Sequence, residues 1–419
     1  MSAPTHIQII GAVLFALAVI HTFSTKFFEH LAHTQPNHAG IWHLLGEVEV
    51  VFGFWAMVMM IFMLAISGKT EATTYLDSRN FGEPLFVFAI MVVAGTRPIL
   101  QCVESVVKVV ARVLPLQQSM SIYFVTLALV PLMGSLITEP AAMTLAALIL
   151  RDTLYSNAIS SKLKYATIGV LFVNISIGGT LTPFAAPPVL MVATQWNWDL
   201  WFMVSHIGWK AAVAVCVNAA GAMLLFRREI AALPAAQVSA IAPVPVSVVL
   251  VHLLFLALIV VFSHHTSVFL GLLLFFLGFA TAYQRHQNPL ILREALMVAF
   301  FLGGLVVLGG MQQWWLERAL TGMDASTVYA GATLLTAITD NAALTYLGSQ
   351  VAGLSEEFKL ALVMGAVTGG GLTVIANAPN PAGVSILRGK FNESAIHPLG
   401  LLIAATPPTI VAIIAFRLL

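Results

Sequence analysis

Glu139 and Asp340 are the residues of this chain best placed to do chemistry. Each lies in an eight-residue string, Ile137-Thr138-Glu139-Pro140-Ala141-Ala142-Met143-Thr144 and Ile338-Thr339-Asp340-Asn341-Ala342-Ala343-Leu344-Thr345. Five of the eight positions are identical at an offset of 201. Hydroxyls flank both acids: Thr138 and Thr144 in the first string, Thr339 and Thr345 in the second. A second pair of strings follows in the same order, Gly178-Gly179-Thr180-Leu181-Thr182-Pro183-Phe184-Ala185-Ala186-Pro187-Pro188 and Gly369-Gly370-Gly371-Leu372-Thr373-Val374-Ile375-Ala376-Asn377-Ala378-Pro379. They agree at six of eleven positions at an offset of 191, and with the residue that follows they add Thr182, Thr373, Asn377 and Asn380. Carboxylate, hydroxyl and carboxamide oxygens are hard donors suited to Na⁺ or a similar ion. Desolvation raises a carboxyl pKa and a nearby cation lowers it, so one side chain can hold either a proton or a sodium ion, but not both well. The plainer reading of both acids is a helix cap, and Pro140 directly after Glu139 suits that reading.

Both pairs of strings break helices. Pro140 and the glycine runs remove or loosen helical hydrogen bonds. Freed backbone groups in lipid cost several kcal/mol each unless they are buried in protein or line a wet cavity. Breaks in two matched pairs therefore predict a cavity between two halves of the chain, where helix C-terminal ends offer carbonyl oxygens to a cation and N-terminal ends suit an anion.

A membrane setting follows from composition. Of 419 residues, 59 % are apolar and 9 % charged, with a mean hydropathy of +0.94; an average soluble chain carries about a quarter charged residues. A net charge of +1 excludes a nucleic-acid footprint. Two cysteines, Cys102 and Cys216, exclude a disulfide scaffold or a cysteine zinc site. The N-terminal apolar run, with no Lys or Arg before it, reads as a retained first span.

The apolar runs predict an all-α polytopic membrane protein with ten spanning helices, at 7–24, 44–66, 84–108, 165–193, 199–226, 246–263, 267–283, 291–312, 358–387 and 396–418. Two more apolar segments, 118–150 and 325–350, carry a polar cluster near the middle and read as re-entrant helical hairpins. With the N-terminus outside, twelve Lys or Arg fall inside and five outside, in keeping with the positive-inside rule. Five spans separate each string from its copy, and an odd number turns the copies to opposite faces. That is an inverted-topology repeat: residues 1–230 with hairpin 118–150 and broken helix 165–193, a linker at 231–245, and residues 246–419 with hairpin 325–350 and broken helix 358–387.

On the strings at 338–345 and 369–380 the chain resembles the ion transporter superfamily, which groups D-type sodium/proton antiporters, arsenite permeases, citrate carriers and sodium-coupled divalent-anion carriers. The Asp340-Asn341 tip and the later Gly-Gly-x-Leu broken helix are similar to the D-type antiporter pattern. The resemblance covers essentially the whole chain and implies exchange of Na⁺ (or Li⁺) for H⁺ by a secondary transporter without a cofactor. It implies that Asp340, Asn341, Thr345, Thr373 and Asn377 contact the ion, with Glu139 and Thr182 from the first half. It also suggests a homodimer by analogy, and a multi-pass protein of a bacterial inner membrane. One departure stands out: the D-type pattern has Asp-Asn in both hairpins, whereas Glu139-Pro140 occupies the first here. The Ser-Asn-Thr tips of the anion carriers are missing at both breaks.

Other polar residues fall within the predicted spans. Glu47 and Glu49 begin the second, and Glu104 and Lys108 are spaced to pair at i,i+4. Arg97 needs a partner such as Glu47 or Glu139. Arg97 and Lys210 could neutralise an acid or contact an anion; on them rests the rival reading, a carrier of citrate, another carboxylate or arsenite. His30, His33, His38 and His43 read as a solvated loop, with metal binding or pH sensing as sharper alternatives. Gly68-Lys69-Thr70 ends like a phosphate loop, but Met63 stands where its first glycine should be. No nucleotide motif is evident, so the expected partners are a small ion and the bilayer, transport is expected to be driven by an ion gradient, and the chain is not read as an enzyme.

Overall fold

In the computed structural model, residues 4–234, 243–391 and 395–419 are described, and every regular element among them is helical. Most of the 231–245 linker therefore lies outside the described residues. Seven helices are long and apolar enough to cross a bilayer: His6–Phe23, Val48–Asp77, Gln118–Ile137, Ser161–Leu181, Leu200–Leu225, Leu292–Gly309 and Pro398–Leu418. Val246–Val261 and Thr266–Ala282 are apolar but shorter.

The structure departs from the sequence reading in several places. The expected span 84–108 is two helices, Gly82–Ala94 and Arg97–Val113, bent by 67°. Gly95 ends the first, and Thr96 in an extended conformation with Pro98 in the first turn starts the second. Counting that pair as one span gives eight crossings by length and composition instead of ten. The expected broken span 358–387 is two helices, Glu356–Gly369 and Asn380–Leu387, each shorter than a crossing, so it adds nothing to that count. In hairpin 118–150 the first arm, Gln118–Ile137, has 20 residues, about 30 Å of helix, the length of a full crossing. The histidine loop, finally, is a pair of short packed helices, Thr25–Thr34 and Ala39–Gly46. The His33 and His43 rings lie 6.0 Å apart there, and among the described residues no three potential ligands gather around a metal position. Gly68, at φ +84°, only kinks the helix Val48–Asp77.

Both hairpins and both broken helices form where the repeated strings lie. The first hairpin is Gln118–Ile137 and Glu139–Thr153; the second is Ala325–Thr336 and Asn341–Ser349. The broken helices are Ser161–Gly178 with Pro187–Trp196, and Glu356–Gly369 with Asn380–Leu387. Side-chain hydroxyls tie each hairpin to its broken helix. Tyr123 and Thr167 share a hydroxyl–hydroxyl bond of 3.0 Å, and Tyr329 and Thr368 one of 2.9 Å. Thr182 donates to the Ser135 carbonyl at 2.6 Å, and Thr373 to the Ala337 carbonyl at 2.8 Å.

Packing then interlocks the halves. The part of each broken helix before the break packs on the first arm of its own hairpin, while the part after the break packs on the second arm of the other hairpin. Gln195 in Pro187–Trp196 donates to the Ser349 carbonyl at 2.6 Å across one such contact. Pro131 shows how buried breaks are satisfied. It sits inside Gln118–Ile137 and has no N–H for the Leu127 carbonyl four residues back; the Asn174 amide donates to that carbonyl instead, at 2.7 Å.

Candidate ion site

The tip of the first hairpin is a single residue. Thr138 takes φ 78° and ψ 149°, a region almost reserved for glycine. This turn lets Glu139 start the next helix with its side chain fully buried. Glu139 Oε2 accepts a hydrogen bond from Asn377 Nδ2 at 2.8 Å. Glu139 Oε1 has no hydrogen-bond partner among the described residues. Gly179 provides room for it, because a Cβ there would stand 2.6 Å from that oxygen. The break of the first broken helix is splinted by Ser135, whose hydroxyl donates to the Gly178 carbonyl (2.8 Å) and accepts from the Leu181 N–H (3.0 Å).

The second tip is built differently. Asp340 caps Asn341–Ser349, its Oδ1 accepting from the Ala342 and Ala343 N–H groups at 2.8 and 3.1 Å. The capping role weighed for Asp340 is thus occupied, but by one oxygen only. Asn341 is fully buried, its side-chain oxygen and nitrogen both without a partner among the described residues, and its N–H donates to the Ala376 carbonyl at 3.1 Å. Asn380 donates to the Gly370 and Thr373 carbonyls, both at 2.8 Å, and so splints the second break. A Cβ on Gly370 would strike Ser176 Oγ and approach Asn341 Nδ2, so Ser176, Asn341 and this break meet at one point.

The two tips are therefore joined by a short chain of contacts. Asn341 bonds the backbone of Ala376, and the next residue, Asn377, bonds Glu139. Asp340 lies within charge–charge reach of Glu139. Around them Thr138 Oγ1, Asn341 Oδ1, Asn377 Oδ1 and Asn380 Oδ1 are buried oxygens without hydrogen-bond partners among the described residues. Buried polar atoms are almost always satisfied in native structures, so a concentration of unsatisfied oxygens around a buried carboxyl suits a cation or a proton.

Among the other predicted ligands, three threonines use their hydroxyl protons locally and keep oxygen lone pairs. Thr345 bonds back to the carbonyls of its own helix, and the Thr182 and Thr373 hydroxyl protons go to the hairpin arms. Thr339 is half-buried beside Asp340. Glu47, one partner weighed for Arg97, pairs with Arg293 at 2.6 Å. Lys210 lies over the Trp209 ring at 5.9 Å. Glu104 and Lys108 do pair, at 2.9 Å. Sequence reasoning missed Ser135, three residues before Thr138, and Ser176, two before the Gly-Gly run; their positions next to the breaks were the available signal.

An all-helical membrane protein whose broken helices and hairpin tips gather buried, unsatisfied oxygens around a carboxyl has the build of an ion transporter. The chain belongs to the family described as "Putative Na+/H+ antiporter", which matches residues 6–419, nearly its full length. It is accordingly an integral, multi-pass membrane protein of the sodium/proton antiporter kind, and its family is one of transporters. No curated protein matches it significantly.

Proposed function

We propose that the protein exchanges Na⁺ (or Li⁺) for H⁺ by alternating access, with Glu139 holding the proton and the cation in turn. One observation carries this reading: a fully buried carboxyl with one oxygen bonded to Asn377 of the other half and the other oxygen unpartnered among the described residues. A bare carboxylate at membrane depth costs about 3 kcal/mol, so the group must be neutralised, and the groups around it offer oxygens. Asp340, Asn341, Asn377 and Asn380, with the Thr138, Thr339, Thr345, Thr182 and Thr373 hydroxyls, make up the rest of the proposed site.

The halves are proposed to be inverted copies of one another. Contacts between helix ends support this. Gln117 bonds Ala231, Ser160 bonds Glu229, and Lys164 bonds the Lys390 carbonyl, all ends that the Lys/Arg bias assigns to the inside. Arg417 bonds Ser326, Trp198 bonds Glu356, and Tyr75 bonds the Val307 carbonyl, all assigned to the outside. The first hairpin thus has its base among inside ends and the second among outside ends. Ser176 and Val367 also hold equivalent places, each two residues before its glycine run, and Ser176 Oγ donates to the Val367 carbonyl at 2.7 Å. Equivalent residues touch where a two-fold axis passes between copies.

The test uses everted vesicles with a pH-sensitive dye. Added Na⁺ should dissipate an imposed proton gradient, and Glu139→Gln and Asp340→Asn should each abolish this while the protein remains folded in the membrane. Normal exchange by Glu139→Gln would overturn the site. Movement of labelled citrate or succinate without any response to Na⁺ would overturn the function in favour of an anion carrier.

A further inference from the structure

A cavity of about 400 Å³ lies against the site. Glu47, Glu49, Arg293 and Glu294, from the starts of Val48–Asp77 and Leu292–Gly309, line one part, and Thr144 and Ser385 line another. Its wall includes Pro140 and Ala378, the residues next in sequence after Glu139 and Asn377. We propose that this cavity is the route by which the cation reaches the buried site from the Lys- and Arg-rich side of the membrane, and that Glu49 is the carboxylate that receives it on the way.

The space holds on the order of ten waters, enough for a hydrated sodium ion. Three carboxylates and one guanidinium face it, and Glu47 and Arg293 neutralise each other at 2.6 Å. Glu49 and Glu294 have no cationic partner among the described residues. A cleft lined by one sign of charge concentrates the opposite ion. The two remaining acids differ in depth: Glu294 is exposed, whereas Glu49 is half-buried and within charge–charge reach of Asp340. The unpartnered oxygens of Glu139 and Asn377, on fully buried side chains one residue behind the cavity wall, give the ion a destination. The Glu47–Arg293 pair joins two helix ends that the charge bias puts on the inside, which fixes the side to which the route opens.

This inference rests on the proposed cation exchange, and its test separates the two. Glu49→Gln should raise the KM for Na⁺ about tenfold while the rate at saturating Na⁺ stays within about twofold, and Glu49→Asp should restore the KM. Glu294→Gln should change it far less. Separately, in a chain with Cys102 and Cys216 replaced by serine, Thr144→Cys should react with a membrane-impermeant thiol reagent in everted vesicles and not in right-side-out ones. Wild-type exchange combined with an unchanged KM in Glu49→Gln would overturn the role of Glu49. Labelling of Thr144→Cys only from the opposite face would overturn the route, whatever ion the protein carries. Absence of Na⁺-driven exchange in the wild type, with labelling from the expected face, would overturn the proposed function and the role of Glu49 and leave the route standing.

Discussion

Asn377 donates to Glu139 across the junction of the two halves, at 2.8 Å. The place equivalent to Asn377 in the first half is Ala186, and those equivalent to Asn341 and Asn380 are Pro140 and Val189. All three carboxamides at the site thus come from the second half, while the fully buried acid comes from the first. The two tips are related in sequence but unequal in chemistry. Asn377→Ala should remove the one hydrogen bond to Glu139 and weaken Na⁺ affinity by about tenfold, as expected for a charge-assisted bond worth roughly 1.5–3 kcal/mol offset by local relaxation. The Na⁺ dependence of dye recovery in vesicles measures this.

Gly179 can be tested by space alone. Its φ of −71° suits any residue, so alanine would bring no backbone strain, only a Cβ 2.6 Å from Glu139 Oε1. Gly179→Ala should therefore lose most exchange while the protein still folds. Gly221→Ala is the control. No atom lies within 4 Å of a Cβ there, and the exchange rate should stay unchanged, with stability raised by up to about 1 kcal/mol from helix propensity.

Thr138 combines strain with an unpartnered hydroxyl. A non-glycine residue in this conformation costs about 1–3 kcal/mol. Thr138→Gly should raise the thermal unfolding temperature and weaken Na⁺ affinity through loss of the hydroxyl. Thr138→Ala should weaken affinity equally without the gain in stability. Equal unfolding temperatures for the two variants would show that strain at this turn is not significant.

Ser135 bonds two backbone groups of the broken helix at once. Ser135→Ala leaves the Gly178 carbonyl and the Leu181 N–H without those partners in a buried site, at a cost of about 1–3 kcal/mol. Thermal unfolding in detergent should show the loss. Asn380→Ala should act in the same direction at the second break, where it serves the Gly370 and Thr373 carbonyls.

Asp324, exposed at the base of the second hairpin, gives a dependence on pH. The Thr327 hydroxyl, then the backbone N–H groups of Thr327 and Ser326, hold its carboxyl below the usual range. Its folded pKa is lower than its unfolded one, so the stabilisation is present above the unfolded value and lost as pH falls through the folded value. Hydrogen exchange of residues 325–336 should quicken in that acidic window, and Asp324→Ala should remove the step.

Much of this protein was legible in its residues because lipid restricts what a chain can do. With 59 % apolar residues, helical spans were forced, since only helices and closed barrels satisfy the backbone in hydrocarbon. The four breaks were legible too, because Pro140 and the glycine runs cannot continue a buried helix without help, and Glu139 and Asp340 stood out as acids in such positions. The bend at Gly95–Thr96 was marked in the residues by Gly95-Thr96-Arg97-Pro98, but such a break does not say how far the chain turns, and the helical form of 25–46 lay inside a more polar stretch, since local composition reports burial better than direction. Only the tertiary structure decided which oxygens are left over. Thr182, Thr345 and Thr373 give their protons to carbonyls, which leaves their lone pairs toward an ion, and packing made Ser135 and Ser176, close to the breaks in sequence, partners of backbone groups. Above all, it placed Asn377 against Glu139, 238 positions apart in the chain. Such a pairing depends on how two halves interlock, a long-range packing outcome that no local spacing encodes.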